Sequence, residues 1–201
     1  MKLEINLNKI KKLSEKNDRE NWIFRSFLKG YDATIEEMDA IVHELYQKIS
    51  SEIDCTICAN CCKEVQPLLD LEDIKKCCEG LKVSASQFKK KYLKSDKEEG
   101  NFIFKEKPCP FLKNNLCSIY PHRPNDCESF PHMHKKEFVF RVWGVVENCS
   151  ICPIVFNVYE QLKEELWYSG DGRFEDDQER KVIQRLSLKY QPIVNKVISK
   201  R

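Results

Sequence analysis

The sequence predicts a mainly α-helical protein with a small β component (α+β), in which amphipathic helices pack an irregular, cysteine-rich, metal-organised centre. Three observations carry this expectation. Apolar residues recur at three- and four-residue steps in several segments, the mark of helices with one buried face. Only two short segments alternate as strands do. All eleven cysteines of the 201-residue chain lie between Cys55 and Cys152, where they make up about 11% of the residues, a density found in chains organised by covalent or metal bonds.

Composition narrows the rest. Hydrophobic residues are 41% of the chain and charged residues 33%, enough apolar material for a core. The net charge of +2 is too even for a general nucleic-acid or membrane-surface binder. No apolar run approaches the roughly 18 residues of a membrane-spanning helix, so no membrane partner is expected. The opening Met1–Asn8 alternates charge and apolarity, unlike an export signal. An odd cysteine count without such a signal argues for a reducing, cytoplasmic setting, where clustered cysteines read as metal ligands.

Residues 1–33 read as a polar helical extension with Trp22, Phe24 and Phe27 as anchors. Residues 34–168 form the expected cysteine-cluster domain, and 169–201 a C-terminal helical extension. From Thr34 to Ile53, Met38, Ile41, Val42, Leu45 and Ile49 mark an amphipathic helix. Asp70 caps a second helix that Gly80 ends. Ser84 with Gln87 is a capping-box pattern for a third, running through Tyr92 and Leu93. Asn101–Lys105 and Glu137–Val146 read as strands that could pair, with the Pro- and Cys-rich stretch between them looped out. Pro153 opens a helix with Val155, Val158, Tyr159, Leu162 and Leu166 on one face. Gly170-Asp-Gly172 breaks it, and a last stripe follows through Val182, Leu186, Tyr190, Ile193 and Val197, bent at Pro192.

The cysteines fall into three groups. The first is Cys55-Thr-Ile-Cys58-Ala-Asn-Cys61-Cys62. A two-residue spacer lets two sulfurs face one ion, and two overlapping steps offer three. Neighbouring side chains diverge, so Cys62 serves a second site or none on spacing alone. The second group is Cys109, Cys117 and Cys127, in a segment stiffened by Pro108, Pro110, Pro121 and Pro124. The third is Cys149-Ser-Ile-Cys152-Pro153. Cys152 stands at a helix N-cap, where the helix dipole favours a thiolate.

Taken in order, Cys55-x-x-Cys58-x-x-Cys61-Cys62, Pro108-Cys109-Pro110-Phe111-Leu112, Cys117-x-Ile119-Tyr120, Arg123-Pro124 and Cys127 resemble the YkgJ-like cysteine-cluster family of zinc- or iron-chelating proteins, over about residues 50–165. The resemblance implies metal or cluster binding by Cys55, Cys58, Cys61, Cys62, Cys109, Cys117 and Cys127. Adding Cys152 makes a set sufficient for two four-cysteine sites. A dense triplet completed by a remote cysteine that precedes proline is close to a ferredoxin arrangement, so an iron–sulfur cluster of the [4Fe–4S] kind is the favoured cofactor and zinc the alternative. A flagellin lysine N-methylase carries a similar region, which makes protein methylation an enzymatic alternative by analogy. A zinc-stabilised module docking a protein partner through its Trp- and Phe-rich ends is a third reading.

Cys77-Cys78 lies outside the signature and reads as small core residues; Cys149 is left undecided. His132-Met133-His134 reads mainly as a polar turn and secondarily as a ligand pair. His122 is expected to be exposed, and His43 to lie on a helix surface. The Lys89-Lys90-Lys91 and Lys94 face reads as a solvated helix surface. Arg123 is a candidate to pair with a carboxylate or with cluster-bound sulfur. No dinucleotide fingerprint, phosphate loop or nucleophile elbow is present. The C-x-x-x-C-x-x-C pattern of radical enzymes is absent too, which weakens the methylase alternative.

Overall fold

The computed structural model describes residues 3–96 and 101–167. In chain order these form α1 (Leu7–Lys16), α2 (Asp18–Gly30), α3 (Ile35–Ser50), α4 (Cys55–Cys58), α5 (Asn60–Glu64), α6 (Leu71–Leu81), α7 (Ala85–Tyr92), β1 (Leu93–Ser95), β2 (Phe102–Phe104), β3 (Leu112–Lys113), β4 (Leu116–Cys117), a 3₁₀ turn (Tyr120–His122), α8 (Asn125–Ser129), α9 (Phe138–Asn148) and α10 (Pro153–Leu166). The fold is mainly helical with two small antiparallel strand pairs. The Gly170–Gly172 break and the stripe after it lie outside the described residues. The chain divides into two compact units, Met1–Ile53 with Pro131–Arg201, and Asp54–Phe130.

The first unit is built on α1, α2, α3, α9 and α10. The described part of the segment expected as a polar helical extension, residues 1–33, holds two helices, α1 and α2. α1 and α3 start where a neighbouring side chain takes free N–H groups. Asn6 accepts from Lys9 N at 3.1 Å, and Thr34 and Glu37 form a reciprocal capping box on α3. The buried faces of α3 (Met38, Ile41, Val42, Ile49) and α10 (Val155, Val158, Leu162, Leu166) are almost wholly removed from solvent. Phe24 of α2, fully buried, stacks on Trp167 with ring centroids 5.4 Å apart and meets Tyr159 edge-on at 5.2 Å. The Tyr159 hydroxyl donates to the Asn21 carbonyl at 2.9 Å, so the buried phenol is satisfied.

Residues 137–146, expected to be a strand, are helical. Phe138, Val142, Val145 and Val146 are the buried positions, a spacing of four, three and one that fits a helix, while Phe140 and Trp143 are 67% and 55% exposed. The N-terminus of α9 has no side-chain cap from its own segment. Asp39, on α3, supplies one instead: its carboxylate accepts from Glu137 N at 2.7 Å and Phe138 N at 2.8 Å. A cap contributed from ninety-nine residues away in sequence leaves no local signal.

The second unit has shorter elements. Asp70 caps α6 in a capping box with Asp73, and Ser84 caps α7 with Gln87, both as the sequence predicts. Gly80 does not end α6. The helix runs to Leu81 and stops at Lys82, which is left-handed (φ 55°). Gly80 serves close approach: a Cβ there would lie 2.8 Å from His122 Cβ. His122, expected to be exposed, is half-buried against this helix. β2 forms where expected but pairs with β1, in register Leu93↔Phe104, Lys94↔Ile103 and Ser95↔Phe102. Its other side bridges Leu69 through two backbone bonds of 2.8 and 3.0 Å with Phe102. β3 and β4 make a tight hairpin whose two turn residues, Asn114 and Asn115, have φ of 50° and 62°, the type I′ geometry that asparagine tolerates. Leu69, Ile74, Cys77, Phe88, Leu93, Phe104, Phe111 and Ile119 form the core of this unit, with Cys109 and Cys117 packed at its margin.

Among the described residues no single helix is long and apolar enough to cross a membrane.

Candidate metal centre

The four cysteines of the first motif are set by a break in the helix. Asp54 caps α4 by accepting from Thr56 N at 2.8 Å. The helix lasts only from Cys55 to Cys58, because Ala59 adopts a left-handed conformation (φ 47°). A non-glycine residue there is strained, and the reversal re-aims the chain so that Cys61 and Cys62 project from a separate helix, α5. Asn115 Nδ2, at the tip of the β3–β4 hairpin, donates to the Ile57 carbonyl at 3.3 Å. Cys109 N donates to the Cys62 carbonyl at 2.8 Å. Two distant segments are thereby tied to the motif.

The structure gathers Cys62, Cys109, Cys117 and Cys127 into one electrostatic neighbourhood. The Cys62 thiol is held down to about 7, first by a hydrogen bond from Cys61 and then by Arg123 and Lys63, against partial burial. Burial pushes Cys109 up to about 11; repulsion from Cys62 and Cys117 adds to this, while N–H groups of Phe111 and Leu112 oppose it. Cys117 is raised by burial and by Cys62, and is relieved by the Ile119 N–H and Arg123. Cys127 is raised by burial and then by Cys109, Cys62, Cys117 and Asp126. Each sulfur therefore feels the charge of the others. Without metal, the group holds mostly protonated thiols around one readily ionised member, and a cation is what would let all four ionise.

The remaining cysteines are placed differently. Cys55 is raised by desolvation and by the neighbouring charges of Cys58 and Asp54, so these two motif cysteines interact on α4. Cys77, on α6, is fully buried in the core, and its thiol is pushed up to about 12, chiefly by burial. Cys78 is half-buried beside that core. Cys149 and Cys152 belong to the first unit, where both are buried, and Cys152 is the N-cap residue of α10. Among the described residues, none of the eleven cysteines is joined in a disulfide. His132 and His134 lie in a turn, with His132 at φ 62° and Met133 fully buried between them. His134 packs on the Tyr46 ring at 5.9 Å.

Among the described residues, no three His, Cys, Asp or Glu side chains stand close enough together to hold a metal ion. The chemistry of the four-thiol group fits a soft cation nonetheless. It supplies thiolate donors of the kind that zinc and iron take, and backbone N–H groups directed at the Cys109 and Cys117 sulfurs, the outer-shell bonds that orient such ligands. Those N–H groups were not part of the sequence reading. Their signals are the Cys109-Pro110-Phe111-Leu112 turn and the Asn114-Asn115 dipeptide, which folds the chain back to place Cys117.

Two searches, one of curated proteins and one of solved structures, returned no match to this chain. A family model, CxxCxxCC, described as "Putative zinc- or iron-chelating domain", matches residues 54–153. The match starts one residue before Cys55 and ends one after Cys152, so it takes in every cysteine of the chain. With the four-thiol group lying inside it, the chain belongs, through this cysteine-rich segment, to the CxxCxxCC family of zinc- or iron-chelating domains.

Proposed function

We propose that the protein is a metal-binding protein of a reducing, cytoplasmic-type compartment, and that thiolates of Cys62, Cys109, Cys117 and Cys127 hold an iron–sulfur cluster, with Cys55, Cys58 and Cys61 of the first motif as further candidate ligands in the same unit. The observation that carries this reading is the mutual charge coupling of four sulfurs drawn from four segments. Burial and repulsion of that kind oppose ionising the four thiols together unless a cation is taken up. The two Cys-Pro steps, Cys109-Pro110 and Cys152-Pro153, and the N–H groups facing sulfur favour iron–sulfur chemistry. Eleven cysteines with no disulfide among them suit a reducing setting.

Zinc is the second reading, favoured by the number of mutually coupled thiols, four, which matches the ligand number of a structural zinc site. Anaerobic purification with metal analysis separates the two. The expected result is a brown protein absorbing near ~400 nm with bound iron, since thiolate-to-iron charge transfer produces that band. A colourless protein with stoichiometric zinc establishes the second reading, and a protein with neither metal overturns both.

A further inference from the structure

Arg123 follows the 3₁₀ turn that leads away from Cys117, and its backbone is pinned on both sides by α6. On one side, Cys77 Sγ donates to the His122 carbonyl at 3.5 Å, and His122 itself fills the space left by Gly80. On the other, Asn125 N donates to Asp73 Oδ1 at 2.8 Å. The guanidinium carbon lies 3.8 Å from the centroid of the Tyr120 ring, a stack that fixes the plane of the fork. Its positive charge lies within electrostatic reach of both Cys62 and Cys117. The Nε–H is buried, yet it finds no hydrogen-bond acceptor among the described residues. A buried donor left unmade costs on the order of 1–3 kcal/mol. Such a group, pinned in place, calls for an acceptor that the described residues do not supply. Stacking on a ring that is 55% exposed does not require the Nε to be buried, so packing alone leaves the arrangement unexplained.

We propose that Arg123 is a positioning residue for the thiolate centre: its guanidinium offsets the negative charge of the metal-loaded sulfurs, and its Nε–H takes a ligand sulfur as acceptor. The proposal rests on the metal-binding reading above. Four thiolates around a divalent metal, or around a doubly charged four-iron cluster, leave a net double negative charge. A fixed cation beside two of those sulfurs lowers the cost of holding it in a partly buried site. A lysine keeps the charge but lacks the fork, which makes the two contributions separable.

The test titrates reduced, metal-free protein with cobalt(II) under a competing chelator and follows the thiolate-to-cobalt absorption in wild type, Arg123→Gln and Arg123→Lys. The melting of each metal-free protein is recorded alongside. Arg123→Gln is expected to bind cobalt roughly 10–100-fold more weakly, the usual effect of losing an outer-shell partner. Its absorption band is expected to shift to longer wavelength, because a sulfur that has lost a hydrogen bond gives up its electron more easily. Arg123→Lys is expected to recover much of the affinity. Wild-type affinity and band position in Arg123→Gln overturn the inference and leave the metal reading standing. Equal losses in both variants, tracking lower metal-free melting points, mean a structural role and overturn it too. Should the glutamine variant not fold, the lysine variant decides: weaker binding with unchanged metal-free melting supports the inference, and binding as in wild type overturns it. No charge-transfer band in wild type overturns the metal reading itself, and this inference with it.

Discussion

The two units of the molecule reach order by different routes. In the first, helices of 10 to 16 residues bury aliphatic and aromatic faces against each other, and long-range polar contacts such as Asp39 on the α9 N-terminus finish the job. In the second, the longest helix has 11 residues and the strands have two or three. Elements so short are marginal by themselves. The comparison shows where a small chain needs something besides hydrophobic burial: the second unit places cysteines at the margin of its core, in positions where burial and mutual repulsion work against their charged forms.

Removing the metal gives the sharpest contrast. Structural metal binding contributes an apparent ~10 kcal/mol or more to small domains. Chelation under reducing conditions is therefore expected to strip hydrogen-exchange protection from residues 54–96 and 101–130 while α3 and α10 keep theirs. Uniform loss across both units would break the comparison. Next in size, Phe24→Ala is expected to destabilise the first unit by about 3–5 kcal/mol, as followed by chemical denaturation, with metal content unchanged.

A smaller effect, about 1–2 kcal/mol, is expected from Asp39→Ala, which leaves the two N–H groups at the start of α9 without their acceptor. Fraying of α9 should appear in the chemical shifts of residues 137–140, and unchanged shifts there would show that Asp39 is dispensable. Smallest is a pH effect carried by Cys77, whose thiol sits above its ordinary value in the folded state. Between the unfolded thiol's value, about 8.5, and about 12, the folded chain binds more protons than the unfolded one, so stability falls as pH rises. Cys77→Ala should flatten that slope in denaturation curves of metal-free protein; an unaltered slope would assign it to other groups.

Much of the helical frame was legible because its signals are local. Thr34/Glu37, Asp70/Asp73 and Ser84/Gln87 are caps written within four residues, and Pro153 marks the start of α10 in the same way. The strand expected over 137–146 went astray because Phe138, Phe140 and Val142 also satisfy a two-residue period. What decides for helix is a carboxylate far away in sequence. The glycine at position 80 looked like a stop signal, and its reason is the neighbouring His122 side chain, again a partner distant in the chain. For the candidate site, spacing identified which cysteines to consider. Spacing alone, which left Cys62 to a second site or none, did not foresee its coupling to Cys109, Cys117 and Cys127. Its neighbour instead donates the hydrogen bond that eases its ionisation.

The left-handed backbone at Ala59 has an outcome for protein engineering. Replacing this alanine with glycine removes the methyl group that makes the conformation strained, but it also loosens the only residue between the two short helices that carry the first four cysteines. Tolerance to heat and grip on metal would then change independently, and a screen for hardier variants that watched only the melting point could select chains that had surrendered their ion.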